Sequence, residues 1–208
     1  MIKLYTLPPS GASQKIRLAL RLLGQPFEEV SLAGGKHKES AFLAINPLGQ
    51  VPVLVDGEIA IRDSGAILIY LAARYRPGIW DGHDAAERGR IAQWLMLAAN
   101  EVTNGPAKLR LNGLFGIAID REGAAALTDK VLALVETQLD GRDWIEGDRL
   151  TIADLALAPY LALAEQGQID LNPYPRIGAW TARIAALPEF PAMTGWEPIL
   201  IAAAHTPA

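Results

Sequence analysis

Residues 46–67 read Asn46-Pro47-Leu48-Gly49-Gln50-Val51-Pro52-Val53-Leu54-Val55-Asp56-Gly57-Glu58-Ile59-Ala60-Ile61-Arg62-Asp63-Ser64-Gly65-Ala66-Ile67. The first four residues are turn chemistry. Residues 51–55 and 59–61 are strand-like runs around Asp56-Gly57, a dipeptide that favours a two-residue hairpin. Asp63 or Ser64 then opens a helix reaching about Arg76, since either side chain can accept a first-turn amide. Upstream, residues 2–6 alternate as a strand, and Pro8-Pro9-Ser10-Gly11 makes a turn. Ile16, Ala19, Leu20 and Leu23 follow helical spacing up to Gly24. A second strand is expected over 27–32, and a β-α-β unit of this kind makes its strands parallel with a right-handed crossover. After the polar loop Gly34-Gly35-Lys36-His37-Lys38, a short helix is expected over 39–45. Residues 1–76 thus form an α/β domain of the order β-α-β, helix, β-β-α.

Downstream, Arg76-Pro77-Gly78-Ile79-Trp80-Asp81-Gly82 breaks the pattern, and residues 77–83 are assigned as a linker. Only helical spacing follows, so residues 84–208 are expected to form an all-α domain. Ile91, Trp94, Leu95 and Ala98 make one apolar stripe, and Leu127, Val131, Leu134 and Val135 another. Thr151-Ile152-Ala153-Asp154 reads as a capping box. The helix it opens should be kinked by Pro159. Residues 175–187 and 193–204 are expected to be the last helices.

Composition narrows the chemistry. The chain has 208 residues, half of them hydrophobic and a fifth charged, with no cysteine. Disulfides, thiolate metal sites and a protein thiol nucleophile are therefore excluded. His37, His83 and His205 are too scattered for metal-ligand spacing, and no metal is expected. No apolar run approaches the ~20 residues of a membrane span, and the N-terminus lacks a signal-peptide pattern. A soluble, cytoplasmic protein is expected. The net charge of −4 argues against nucleic acid as a partner. That charge divides as +3 on residues 1–76 and −7 on the rest. The imbalance suits an anionic ligand on the first half, although a few surface charges produce such an imbalance equally well.

Four features carry chemistry, and each admits a plainer reading. Val51-Pro52 is either an edge-strand proline or a cis link that leaves the backbone of Val51 free to pair with an extended peptide. Asp63-Ser64 either caps a helix or offers its N-terminus to a carboxylate. Ser10, with Ser13 nearby, either caps the first helix or donates a hydrogen bond to a ligand thiolate. Lys36-His37-Lys38 is either a solvated loop or the seat of a second carboxylate.

The order of these motifs is distinctive. Lys3-Leu4-Tyr5-Thr6-Leu7-Pro8-Pro9-Ser10-Gly11-Ala12-Ser13-Gln14-Lys15-Ile16-Arg17, then His37-Lys38, then Asn46 through Leu54, then Asp63-Ser64-Gly65-Ala66-Ile67, resembles the N-terminal domain of glutathione transferases. The likeness is greatest to their serine-type classes, phi, theta and bacterial relatives. Thr151-Ile152-Ala153-Asp154 matches the capping box of that family's helical domain. The resemblance implies a thioredoxin-like domain followed by a helical bundle, glutathione as co-substrate, and a homodimer. It implies that Ser10, or Ser13 in a shifted register, stabilises the glutathione thiolate. Gln50 and the backbone of Val51 would align the peptide beside a cis Pro52. Asp63 and Ser64 would take the γ-glutamyl amine and carboxylate, and His37 and Lys38 the glycine carboxylate. Leu48 stands where some classes place an aromatic key in the dimer interface. The electrophile pocket would lie near Pro9, with Asn100, Asn104, Lys108, Leu111 and Phe115 as walls and Trp196 closing it.

The implied reaction is conjugation of the thiolate to a small hydrophobic electrophile. A free thiol has a pKa of about 8.5, and lowering it by roughly two units needs about 2.7 kcal/mol of preferential thiolate stabilisation. A hydroxyl donor with a helix dipole reaches that scale. Glutathione-dependent peroxidase or dehalogenase chemistry would use the same thiolate, and a non-catalytic glutathione-binding module would keep the fold alone. Thioredoxin-type and mixed-disulfide mechanisms are excluded by the missing cysteines.

Overall fold

A computed structural model describes residues 1–197 of the chain. Strand β1 (Ile2–Thr6) turns Ile2, Leu4 and Thr6 inward and the alternate positions outward. It is followed by α1 (Gly11–Leu22), β2 (Phe27–Ser31), a 3-10 turn over Lys36–Lys38, and α2 (Ser40–Leu43). Then come β3 (Val53–Asp56), β4 (Ile59–Arg62) and α3 (Ser64–Tyr75). The four strands form one sheet ordered β2-β1-β3-β4, with β1 and β2 parallel and the other pairs antiparallel. Gly57, at φ 63°, makes the tight β3–β4 turn. Strand β3 begins two residues later than its apolar run suggests. Val51 and Pro52 lie outside it, because proline has no N–H for the ladder; the Val51–Pro52 bond is cis.

The helical half comprises α4 (Ala85–Leu97), a π turn over Ala98–Val102, α5 (Pro106–Phe115), α6 (Arg121–Gln138), α7 (Ile152–Ala162), a 3-10 turn over Ala164–Gly167, and α8 (Pro175–Ala185). Helix α7 continues through Pro159 as one element rather than breaking there. Proline there removes a single backbone bond, while the buried side chains on every side hold the helix in place. The helix expected over 193–204 is not formed at its start: Met193 and Trp196 bridge across a turn instead. The remainder of that span lies outside the described residues.

One apolar core runs through both halves. Leu4, Ile16, Leu20, Leu54, Ile67 and Leu71 from the first half are continuous with Trp94, Leu155, Leu157 and Trp180 from the second. Helix α7 is apolar all round because α1, α3, α4 and α8 all pack on it. A small satellite core of Leu32, Phe42 and Val53 lies beneath α2. Polar ties also cross between the halves: Gln14 donates to the Pro191 carbonyl at 2.7 Å, and Arg110 to that of Pro9 at 2.7 Å. The N–H of Ile152 donates to the Trp80 carbonyl at 3.0 Å. Among the described residues no helix is long and apolar enough to cross a membrane.

Candidate functional site

A cleft of about 790 Å³ opens between the two halves. On the sheet side it is lined by His37, Gln50, Val51, Pro52, Asp63 and Ser64. Asn46, only 1% exposed, builds the loop that carries Gln50 and Val51. Its amide donates to the Gln50 carbonyl at 2.8 Å, and its carbonyl accepts from the Leu48 N–H at 3.2 Å. Among the described residues, neither the N–H nor the C=O of Val51 has a hydrogen-bond partner. An exposed pair of backbone groups beside a cleft can accept one residue of an added strand.

At the start of α3, Asp63 adopts φ 75° and ψ 126°. Its Oδ1 accepts from the N–H groups of Gly65 at 2.8 Å and Ala66 at 3.0 Å. Those amides are therefore spoken for. What remains for a ligand is the second Asp63 oxygen, the Ser64 N–H and hydroxyl, and the positive end of the helix. His37 lines the cleft from the 3-10 turn, and its Nδ1 is buried without a partner among the described residues. Lys38 is exposed and stands off the cleft wall.

Ser10 caps α1: its Oγ accepts from the Ser13 N–H at 3.1 Å, which leaves its own proton free to donate. Ser10 does not line the cleft, but Leu7 and Ala12 on either side of it do. Ser13 is fully buried, and its Oγ has no partner among the described residues. Two residues not singled out by the sequence join α1 at the cleft floor. Lys15 is 4% exposed, and burial pulls its ammonium pKa down to about 8, against the raising influence of Asp63. The ring of Tyr160, from α7, lies against Gly11, where a Cβ would come within 2.8 Å of Cε1. Burial raises the Tyr160 pKa, while Arg110 and the Ala12 N–H oppose that rise. No local pattern could have flagged Tyr160, because its partners are some 150 residues away in the chain.

The helical wall is mostly apolar. Leu95, Met96, Ala98, Ala99 and Leu111 line it, with Thr103 at the end of the π turn. Of the pocket residues expected from the sequence, only Leu111 lies on this wall. Asn104 and Asn100 hydrogen-bond to each other at 3.1 Å, and Lys108 and Phe115 face outward. Pro9 is off the cleft, its carbonyl held by Arg110. Trp196 is 6% exposed and stacks edge-on against Phe190, with its Nε1 donating to the Thr181 carbonyl. A large ring with its single donor satisfied belongs to the core, so Trp196 does not close the cleft. A second hollow of about 430 Å³ shares no lining residue with the cleft, and its Arg17 and Glu29 are already paired with each other at 2.7 Å. Among the described residues no cluster of three or more His, Asp or Glu is placed to hold a metal.

Known proteins share this arrangement. Residues 4–78 match the glutathione S-transferase N-terminal domain, and residues 118–188 match the glutathione S-transferase C-terminal domain. The chain belongs to the glutathione S-transferase family. As a member of it, the protein is a transferase. It is 33% identical over 207 residues to glutathione S-transferase 3 of Zea mays, covering 91% of each chain. A glutathione S-transferase structure from Xanthobacter autotrophicus Py2 superposes with a TM-score of 0.84 at 31% identity, covering 93% of this chain and 97% of that one. A family member from Pseudomonas fluorescens Pf-5, with two glutathione bound, superposes at 0.81 with 26% identity, covering 94% and 92%.

Proposed function

We propose that this protein binds glutathione in the cleft, ionises its thiol and adds the thiolate to a small hydrophobic electrophile. The observation that carries the reading is the cleft's two-sided character. One wall offers an unpaired backbone pair at Val51, a carboxylate at Asp63, a helix N-terminus at Ser64 and an imidazole at His37; the other offers apolar side chains. A tripeptide with two carboxylates and an ammonium matches the first wall, and a hydrophobic acceptor matches the second. Val51 and Gln50 align the peptide backbone, with Pro52 beside them. Asp63 takes the γ-glutamyl amine and Ser64 its carboxylate. His37 reaches the glycine carboxylate, and Lys38 adds only long-range attraction from the loop. Ser10 donates to the sulfur, because its hydroxyl proton is uncommitted while that of Ser13 is buried inside the helix packing. The acceptor lies against Met96, Ala99, Thr103 and Leu111. Catalysis then consists of thiol ionisation and proximity, with no covalent enzyme intermediate.

The protein is further proposed to be a cytoplasmic homodimer. Leu48, Ile69 and Met96 are 64%, 48% and 61% exposed and all border the cleft mouth, an apolar grouping that a second copy would cover. Sedimentation of Leu48→Lys as a monomer against a dimeric wild type is the matching test.

The function itself is tested by ultraviolet difference titration of bound glutathione in wild type, Ser10→Ala and Ser13→Ala. The wild type should show a thiolate band near neutral pH. Ser10→Ala should raise the bound thiol pKa by about one unit, or roughly 1.4 kcal/mol, with binding largely kept. No thiolate band in the wild type would refute thiol activation, and a rise confined to Ser13→Ala would move the role to Ser13.

A further inference from the structure

Lys15 is an unusual residue to find where it is. It lies on the cleft floor, 96% removed from solvent. Among the described residues no carboxylate forms an ion pair with it, and Asp63 acts on it only from a distance. Its Nζ stands 5.2 Å from the centre of the Tyr160 ring. The same ring presses on Gly11, the first residue of α1. Helical side chains lean back toward the N-terminus, so the ammonium of Lys15 lies along the first turn of its own helix. A cation in that position is opposed by the helix dipole, and burying it without a counter-charge is costly. The fold places a full positive charge beside a partial one, against local stability. A negative group entering the cleft would satisfy both.

We propose that Lys15 is the cation that faces the glutathione sulfur and, with the first turn of α1, holds it as a thiolate. This rests on the glutathione-binding reading above. On binding, the thiol proton leaves to water and the sulfur's negative charge meets the ammonium. The sulfur is the group assigned here because the peptide's γ-glutamyl carboxylate already has a donor set at Ser64, at the start of a different helix. The titratable groups facing Lys15 from the helices packed on α1 are Asp63 at the start of α3 and Tyr160 on α7. His37 and Arg62 stand elsewhere on the cleft wall, and Arg110 acts on Tyr160 from α5. Tyr160 offers its ring face, which tolerates the cation without neutralising it. The ammonium pKa of about 8 leaves the charge in place at neutral pH.

The test compares wild type, Lys15→Met and Lys15→Arg by two measurements. One is calorimetric binding of S-methylglutathione, which has no ionisable sulfur; the other is ultraviolet titration of bound glutathione. Lys15→Met should bind S-methylglutathione within about twofold of wild type. It should raise the bound thiol pKa by about one to two units. Lys15→Arg, which keeps the charge, should restore most of that shift, a rescue that a merely structural role would not produce. An unmoved thiol pKa in a folded Lys15→Met protein overturns the assignment. So does a loss of S-methylglutathione affinity without a thiol shift, which would give Lys15 to a carboxylate. If Lys15→Met does not fold, Lys15→Gln takes its place in both measurements. Failure of the wild type itself to bind S-methylglutathione would instead refute the glutathione reading, and is thereby distinguished from failure of the Lys15 assignment.

Discussion

Asp63 and Asp154 both serve helix starts, of α3 and α7, and both sit beside a hydroxyl residue suited to capping. Their surroundings differ completely. Asp154 is fully buried, and its carboxylate accepts four hydrogen bonds. It accepts from the N–H groups of Ile145 at 2.9 Å and Thr151 at 2.9 Å, the Thr151 hydroxyl at 3.1 Å, and the Trp180 indole at 2.9 Å. Asp63 uses one oxygen for two amides and turns toward the cleft. Asp63 is itself the N-cap of α3, whereas Asp154 closes a capping box behind the N-cap Thr151; one helix start is a closed structural joint and the other an open receptor. What separates them is whether another layer of the protein covers the helix start.

The contrast breaks most forcefully at Asp154. Asp154→Ala strips four buried donors of their acceptor and should cost about 3–5 kcal/mol, read from the urea unfolding midpoint. If the loss is no greater than for an ordinary exposed cap, Asp154 is not the joint described here.

The next largest effect is on pH dependence. Burial pushes the Asp154 carboxyl up to about 6, although its hydrogen bonds to Ile145, Thr151 and Trp180 work the other way. Its folded pKa therefore exceeds the ordinary value of about 3.9. The folded state binds the proton more tightly, so this contribution is fully present below about pH 4 and is lost as pH rises through about 6. The unfolding free energy of wild type relative to Asp154→Asn should fall by roughly 3 kcal/mol across that window. A flat difference would show that the four hydrogen bonds outweigh burial.

The smallest change is at the open site. Asp63→Asn keeps a good cap and should alter stability by less than about 0.5 kcal/mol. Glutathione affinity should nonetheless drop roughly tenfold in calorimetry, because a charge-assisted contact becomes a neutral one. Equal and large stability losses at Asp63 and Asp154 would erase the distinction between them.

Much of this was legible along the chain. Asp56-Gly57 announced the hairpin, Gly24 the end of α1, and Thr151 with Asp154 the start of α7. Val51-Pro52 and Asp63-Ser64 stand out by their local chemistry and Gln50 by the resemblance to glutathione transferases, and all five line one cleft. The second wall was far less accessible. Lys108 and Phe115 lie on α5 but on another face, and Asn100 and Asn104 stand in and just after the π turn, which interrupts the apolar period between α4 and α5 and shifts the register by a residue. Trp196, expected to close the pocket, has its ring in the core against Phe190.

The sequence by itself determined most of the elements and their order, because turn, cap and proline chemistry act between neighbours in the chain. Only the tertiary structure decided that Lys15 is buried without a counter-ion among the described residues, that Tyr160 lies across Gly11, and that the aspartate at one helix start is sealed while the other is open. Burial and charge pairing depend on what arrives from distant segments, and no local pattern of residues encodes that.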